Sequence, residues 1–405
     1  MPADSELPPA VILAHGPVVL GAARSLGRRG VPVIAAAFGE DEPVVGSRWP
    51  VRTYVLSPGP PEEKERQLLE MLLPMGGSGP ALLCTSDRMV AFMSRNREIL
   101  AKAGFRFLIP PDELIRALND KVQETQLIGS LGFPLPRTLY ALPPTAAGLE
   151  AELGLPVILK PRSFVEAAVV PPKTVILRSR TAIERFYADR AELLPLCVAQ
   201  EVIPGEDGAS WVCSCTFGPS SELLDCAIKR KIRMAPAHFG PSTIAVSACN
   251  AEVHELTRRI GKALGYAGHA GVEFRRDSRD GLYKYIEINP RIPANVEFDD
   301  ACGVPTVWNT YLVCLGRPAA ASGSRQREGV VYVDLLEDIY ARLVDREPLV
   351  SITRHHLALL RQRRSGQYFA WDDPLPGIRR WSRFVRRHCA GFFRWVRRRW
   401  RERGR

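Results

Sequence analysis

Glu273, Glu287, Asn289 and Arg291 are the residues whose types and spacing point most directly to chemistry. They lie on two stretches, "AGVEFRRD" and "YKYIEINPR", which alternate like strands and are joined by a turn at Ser278 to Gly281. Every second residue of a strand faces the same side, so Glu287, Asn289 and Arg291 project together, and pairing across the turn brings Glu273 near Glu287. Two carboxylates and an amide carbonyl are hard oxygen ligands that suit Mg2+, or Mn2+ in its place, with phosphate oxygens completing the shell. A divalent cation would also offset the repulsion between the two acids. Arg291, a planar and always charged fork, could then hold a phosphoryl group in transfer. The same alternation fits an exposed hairpin with a solvated charged face, so the surrounding segments have to decide.

Those segments place cations at the ends of elements. Lys160 closes the apolar run "VILKP", where Pro161 stiffens the chain and lets the ammonium meet phosphates with little loss of freedom. Lys121 opens a helix that starts after Asn119. Lys229, Arg230, Lys231 and Arg233 crowd a run ahead of the Gly/Pro loop "MAPAHFGPST", and Lys231 and Arg233, two apart, are expected on one strand face. The run "QEVIPGED" carries an acid on an apolar strand and breaks at Pro204-Gly205.

The elements that must hold these residues are legible in outline. An apolar run from Ala10, a helical stretch Val18 to Arg29, a stop at Gly30 and a β-branched run Val31 to Ala35 make a βαβ unit. "ALLCTSDRMVAFMSRNREILAKAG" repeats the strand-then-helix order, with Ser86 or Asp87 as helix cap. Residues 9–115 therefore read as a doubly wound α/β domain, whose ligands would sit beyond the carboxyl ends of its strands, at His15 to Pro17 and Thr85 to Arg88. The first turn lacks GxGxxG, which argues against a dinucleotide. Residues 116–329 read as an α+β region with strands at Val175 to Leu177, Cys197 to Ile203, Ser210 to Thr216 and Leu223 to Lys229, and an amphipathic helix at Glu252 to Leu264. Residues 330–377 add a strand and a helix that finish the body, and 378–405 form a basic amphipathic tail.

Taken together, "YIEINPRI", "NDK" at Asn119 to Lys121, "VILKP", "AQEVIPGED" at Ala199 to Asp207 and "RKIRMAP" at Arg230 to Pro236 resemble, in order, the motifs of the ATP-grasp superfamily. The resemblance covers roughly residues 9 to 320. It implies a two-lobed ATP-grasp domain with a hinge near 200–207, preceded by an α/β domain. It further implies a ligase that activates a carboxylate as an acyl phosphate and joins it to an amine. Within the superfamily, "GSRW" at Gly46 to Trp49 and "WDDP" at Trp371 to Pro374 look most like the D-aspartate ligase and carbamoyl-phosphate-synthetase-like group. By this resemblance Lys121 and Lys160 contact the ATP phosphates. The backbone of Glu201, Val202 and Ile203 reads the adenine edge, Ile203 packs on the base, and Asp207, with Glu206 as rival, accepts from the ribose. Lys231 and Arg233 serve the γ-phosphate or substrate carboxylate, Arg291 the transferring group, and Glu273, Glu287 and Asn289 the metal. One departure stands out: "SFVEAAVVPPKTVIL" has no glycine where many relatives carry a phosphate-cradling glycine loop, so Ser163 and Lys173 would have to substitute for it. The alternative is a weakly active or inactive scaffold or nucleotide sensor.

The formal charge of +11 is confined to one end, because residues 378 to 405 hold 12 arginines against one acid, Glu402, and the rest of the chain balances. Trp381, Phe384, Val385, Phe392, Trp395 and Val396 recur there at helical spacing. A cationic amphipathic helix of this kind suits an anionic membrane surface, with nucleic acid the nearest rival and a partner-docking helix a third reading. Nine scattered cysteines form no zinc-site spacing and read as reduced thiols of a cytoplasmic protein, peripheral at the inner membrane face if the tail binds lipid. Asp4 and Glu6 argue against a signal peptide, and no apolar run is long enough to span a bilayer. The partners expected are small carboxylate and amine substrates.

Overall fold

In the parallel sheet of the N-terminal unit three of the four strands are apolar runs that are almost wholly buried, whereas the fourth is an exposed edge. β1 (Ala10–Leu13) is fully buried, pairing with β2 (Val33–Ala37) and β4 (Ala81–Cys84), while β3 (Pro50–Val55) adds the far edge, in the order β3-β2-β1-β4. Parallel strands need crossovers: α1 (Pro17–Gly27) joins β1 to β2 and α2 (Pro61–Leu72) joins β3 to β4, while only a short turn at Pro43–Gly46 lies between β2 and β3. α3 (Asp87–Arg95) and α4 (Arg97–Lys102) follow β4, and Ser86 caps α3 by accepting from the Met89 amide at 3.3 Å. The computed structural model describes residues 7–13, 16–163, 174–235, 240–319 and 326–386.

Two short helices, α5 (Asp112–Leu118) and α6 (Lys121–Ser130), lead out of this unit. Asp120 caps α6 through the amides of Val122 and Gln123, which fixes Lys121 at the helix start. A four-stranded antiparallel lobe comes next. Its elements are β5 (Thr138–Leu139), α7 (Ala146–Leu153), β6 (Val157–Pro161), β7 (Val175–Leu177), α8 (Arg180–Asp189) and β8 (Cys197–Glu201), and its strand order is β5-β8-β6-β7. β6 alternates so that Val157 and Leu159 enter a small core with Leu149, Leu153 and Ile183.

The remaining strands form a seven-stranded sheet, β13-β12-β9-β10-β11-β14-β15. These are β9 (Ser210–Phe217), β10 (Leu223–Met234), β11 (Ser242–Ser247), β12 (Gly268–Arg276), β13 (Tyr283–Asn289), β14 (Val331–Val333) and β15 (Arg364–Gly366). Cys213, Cys215, Ile228, Val272, Phe274 and Ile288 share one face, which α9 (Ala251–Leu264) covers with Val253, Leu256 and Ile260. On the other face lie α10 (Val296–Ala301) and α11 (Thr306–Cys314). α12 (Leu335–Val344), α13 (Leu349–Leu359) and a helix from 375 to 386 complete the described chain, one helix and one edge strand more than the sequence led us to expect after residue 330. None of the described helices is long and apolar enough to cross a membrane.

A single buried acid ties α6 to the large sheet. Glu124, 1% exposed, accepts from the Tyr285 hydroxyl at 2.6 Å, the Ile288 amide at 2.9 Å and the Lys121 ammonium at 2.9 Å. Losing it would leave the Tyr285 hydroxyl and the Ile288 amide buried without an acceptor and Lys121 with only one of its two anions, so Glu124→Ala is expected to cost roughly 3 kcal/mol. Glu124→Gln, which keeps an acceptor for Tyr285 and Ile288, should cost less, and urea midpoints of the two variants check the order.

Candidate active site

The antiparallel register places Glu273 directly opposite Glu287, and Gly271 opposite Asn289. Gly271 leaves room for the loop that leaves β13: a Cβ there would meet Pro293 at 3.1 Å. Each carboxylate already has a cation. Lys231 reaches Glu273 at 2.8 Å from β10, and Lys121 reaches Glu287 at 3.1 Å from the start of α6. The Lys121 ammonium holds the Glu287 carboxyl well below the usual carboxylate range against the opposing effect of burial, and the Asn289 amide donates to it at 3.2 Å. Burial alone would lower the Lys121 pKa, but Glu124 and Glu287 outweigh it and raise it. Glu287 is therefore ionised throughout the neutral range. The donor set is all oxygen, two opposed carboxylates and the Asn289 Oδ1, and it fits a magnesium ion whose other ligands are phosphate oxygens. Among the described residues no three His, Cys, Asp or Glu side chains gather as a metal cluster.

Lys160 lies near the end of β6, with its Nζ on Gln200 Oε1 at 2.9 Å. Burial lowers its pKa, and Glu287 and Glu273 act in the opposite sense, so this ammonium feels both members of the acidic pair. Arg291, just past β13, donates to Asn289 Oδ1 at 3.0 Å and to Asp87 at 3.1 Å. Asp87 opens α3 beyond the carboxyl end of β4, so the expected ligand edge of the N-terminal sheet abuts the acidic strand pair.

One expectation needs correction and another narrows. A bulge in β10 separates Lys231 from Arg233: Lys231 stands opposite Ala245 and Arg233 opposite Ile244, neighbours whose side chains point to opposite sides of β11. Arg233 accordingly leaves the acidic pair and binds Glu347 at 3.0 Å and Asp338 at 3.4 Å. At the hinge, the amides of Glu201 and Val202 are given to the carbonyls of Arg137 (3.0 Å) and Pro156 (3.3 Å), so neither is open to a purine edge. Among the described residues Ile203 is the first past β8 whose amide goes to neither neighbouring strand. Its side chain is buried, as a residue packing on a base would be. The Glu201 carboxylate is an anchor, held by Arg279 at 2.9 Å and by the amide of Arg137 at 2.9 Å. Asp207 starts a short turn after Pro204-Gly205 and is half-buried. His15, Lys173 and residues 236–239 of the Gly/Pro loop lie outside the described residues, whereas Ser163 bridges Asp120 beside Lys121.

Sequence reasoning missed Glu124, Gln200 and Arg275. Glu124 sits one helical turn after Lys121, a spacing that pairs side chains and could have drawn attention. Arg275, two residues after Glu273, clamps the hinge by donating to the carbonyls of Ile203 (2.9 Å) and Gly205 (2.6 Å) and to Ser210 Oγ at 2.7 Å. Nothing local distinguishes it from the arginine that follows. A cavity of about 1000 Å3 lies elsewhere, lined by Leu335, Ile352, Leu357, Leu360, Phe369 and Trp381 among others and by none of the site residues.

No family model matches the chain. It is 24% identical over 239 residues to the carbamoyl phosphate synthase large chain of Thermus thermophilus, a match spanning 57% of this chain and 23% of that protein. It is 25% identical over 226 residues to the D-aspartate ligase of Enterococcus faecium, spanning 52% of each. The matched stretch is thus about half or less of these relatives' own length. Among solved structures, the biotin carboxylase domain of Hydrogenobacter thermophilus 2-oxoglutarate carboxylase, in complex with MgADP, ADP and bicarbonate, superposes with a TM-score of 0.62 at 15% identity, covering 81% of this chain and 74% of that one. The chain has the ATP-grasp fold and is a relative of the ATP-grasp carboxylate-amine ligases.

Proposed function

We propose that the protein is an ATP-dependent ligase that phosphorylates a small carboxylate and joins the resulting acyl phosphate to an amine. The observation that carries this reading is the direct opposition of Glu273 and Glu287, each neutralised by a lysine, with Lys160 within electrostatic reach of both and Arg291 on Asn289 beside them. A purely structural hairpin gains nothing from facing carboxylates.

Glu273, Glu287 and Asn289 would hold a magnesium ion, which when bound supplies charge neutralisation at the terminal phosphates. Lys121 and Lys160 sit where they can bind the phosphate chain, and the Ile203 amide with Asp207 would take the adenine and ribose ends. Lys231 stands beside Glu273 to meet the γ-phosphate or the substrate carboxylate. Arg291 is oriented by Asp87 and Asn289 to counter charge that develops as the carboxylate attacks. Such a site works by positioning and electrostatics and needs no covalent nucleophile.

Incubation with Mg-ATP and pools of carboxylic and amino acids, followed by phosphate release, tests the proposal. Release that requires both an acid and an amine supports it, while silence together with no ATP-induced thermal shift favours the scaffold reading. Glu287→Gln should lower release about 100-fold or more, since it removes a metal ligand and leaves Lys121 without one of its two anions. Lys160 must be charged to bind phosphate, and its lowered pKa means that charge is lost on the alkaline side before an ordinary lysine would titrate. ATP affinity should therefore fall as pH rises, and Lys160→Arg should flatten that limb of the profile.

A second reading concerns location. In the helix from 375 to 386, Ile378, Trp381 and Val385 are exposed at helical spacing, with Arg379 and Arg383 between them and Arg386 just after. That stripe favours an anionic membrane surface for the tail, whose remaining stripe residues Phe392, Trp395 and Val396 lie outside the described residues. Deleting residues 378–405 should abolish sedimentation with vesicles rich in anionic lipid, and unchanged sedimentation would reject the reading.

A further inference from the structure

The motifs "GSRW" and "WDDP" play no part in the cleft, yet they meet at one residue. Arg24 of α1 is fully buried and donates through Nε to Asp373 Oδ2 (2.9 Å), through Nη2 to the carbonyls of Tyr368 and Asp373 (2.8 Å each), and through Nη1 to Glu297 Oε2 (2.8 Å). Ser47 and the amide of Arg48 donate to the same Asp373 carboxylate at 2.7 and 3.1 Å. Around this centre Arg28 binds Glu297 and Asp372, and Arg29 binds Asp300. α1 lies close against α10, since a Cβ on Gly21 would meet Val296 at 3.1 Å.

Glu297 belongs to α10, which the chain enters from Arg291 through a short loop. The near end of that loop is pinned to the N-terminal unit by Arg291 on Asp87 and by the Ile292 amide on the Cys84 carbonyl at 3.2 Å. Its far end is pinned by Arg24, Arg28 and Arg29. Between the two anchors Asn295 turns the chain into α10 with a left-handed backbone, φ 75°, a conformation that asparagine takes more readily than other side-chain-bearing residues.

Resting on the ligase reading, we infer that Arg24 is a positioning residue: clamped by the C-terminal strap Tyr368–Asp373, it fixes Glu297 and so sets the shape of the loop between Arg291 and Asn295. Among the described residues the Arg24 side chain bonds only Asp373, Glu297 and Tyr368, none of which the proposed function places on the nucleotide or its metal. The placement of Arg291 beside the acidic pair depends on Arg24.

The test uses the full chain and two variants, Glu297→Gln and Asp373→Asn. Each keeps side-chain volume and one acceptor, and the first carries the test if the second fails to fold. In Glu297→Gln we expect amide hydrogen exchange across residues 292–301 to rise about ten-fold while β12 and β13 stay protected, with Mg-ATP affinity within about two-fold and kcat for phosphate release down about ten-fold at an unchanged KM for ATP. Exchange at 292–301 that matches the wild type, or that rises equally in β12 and β13, overturns the inference. A wild-type protein silent in phosphate release would sink the ligase reading instead, and a local rise in exchange would still establish the clamp.

Discussion

Everything in the cleft follows from holding two carboxylates face to face on neighbouring strands. Like charges at that separation repel, and a fold keeps them together only with cations close by. Here the cations come from outside the hairpin, Lys121 from the start of α6 and Lys231 from β10, so closing the acidic pair also fixes the position of a helix and of a strand two places away in the sheet. Glu124 makes the first of these contacts permanent by holding Lys121 and β13 at once.

The arrangement is also poised to change. Two acids and two lysines are neutral as a group, and each ammonium lies where it satisfies an anion that a divalent ion would otherwise take. A nucleotide arriving with its metal would bring phosphates for the lysines and a cation for the carboxylates, so the ion pairs can exchange partners without any charge being left alone in a poorly solvated site. Arg291 has no such freedom. Its guanidinium bridges Asn289 and Asp87, which ties the angle of the last cation in the row to the N-terminal unit.

Much of this was legible because it is local. The period-two alternation in "AGVEFRRD" and "YKYIEINPR", with a short turn between them, was enough to set Glu273 against Glu287, and β7 and α9 fall within a residue of where their patterns put them. What was not legible depends on registry or distance. A bulge leaves no mark in the run of residues around Arg233, yet it moves that side chain to another face and another set of acids. Glu201 looks like any acid at a strand end until Arg137 and Arg279 arrive from two other segments to bury it.

The contacts hardest to read are those between the two ends of the chain. Arg24 and Asp373 stand 349 residues apart, and no pattern in either segment announces the other. Bringing them together costs loop-closure entropy that grows slowly with length but must be met before any contact repays it. A buried guanidinium is a poor choice for simple adhesion, because apolar side chains of similar volume often do as well or better. What the guanidinium adds is direction. Its planar fork accepts only partners in fixed positions, so α1, α10 and the Tyr368–Asp373 strap meet in one geometry, which the loop between Arg291 and Asn295 would inherit.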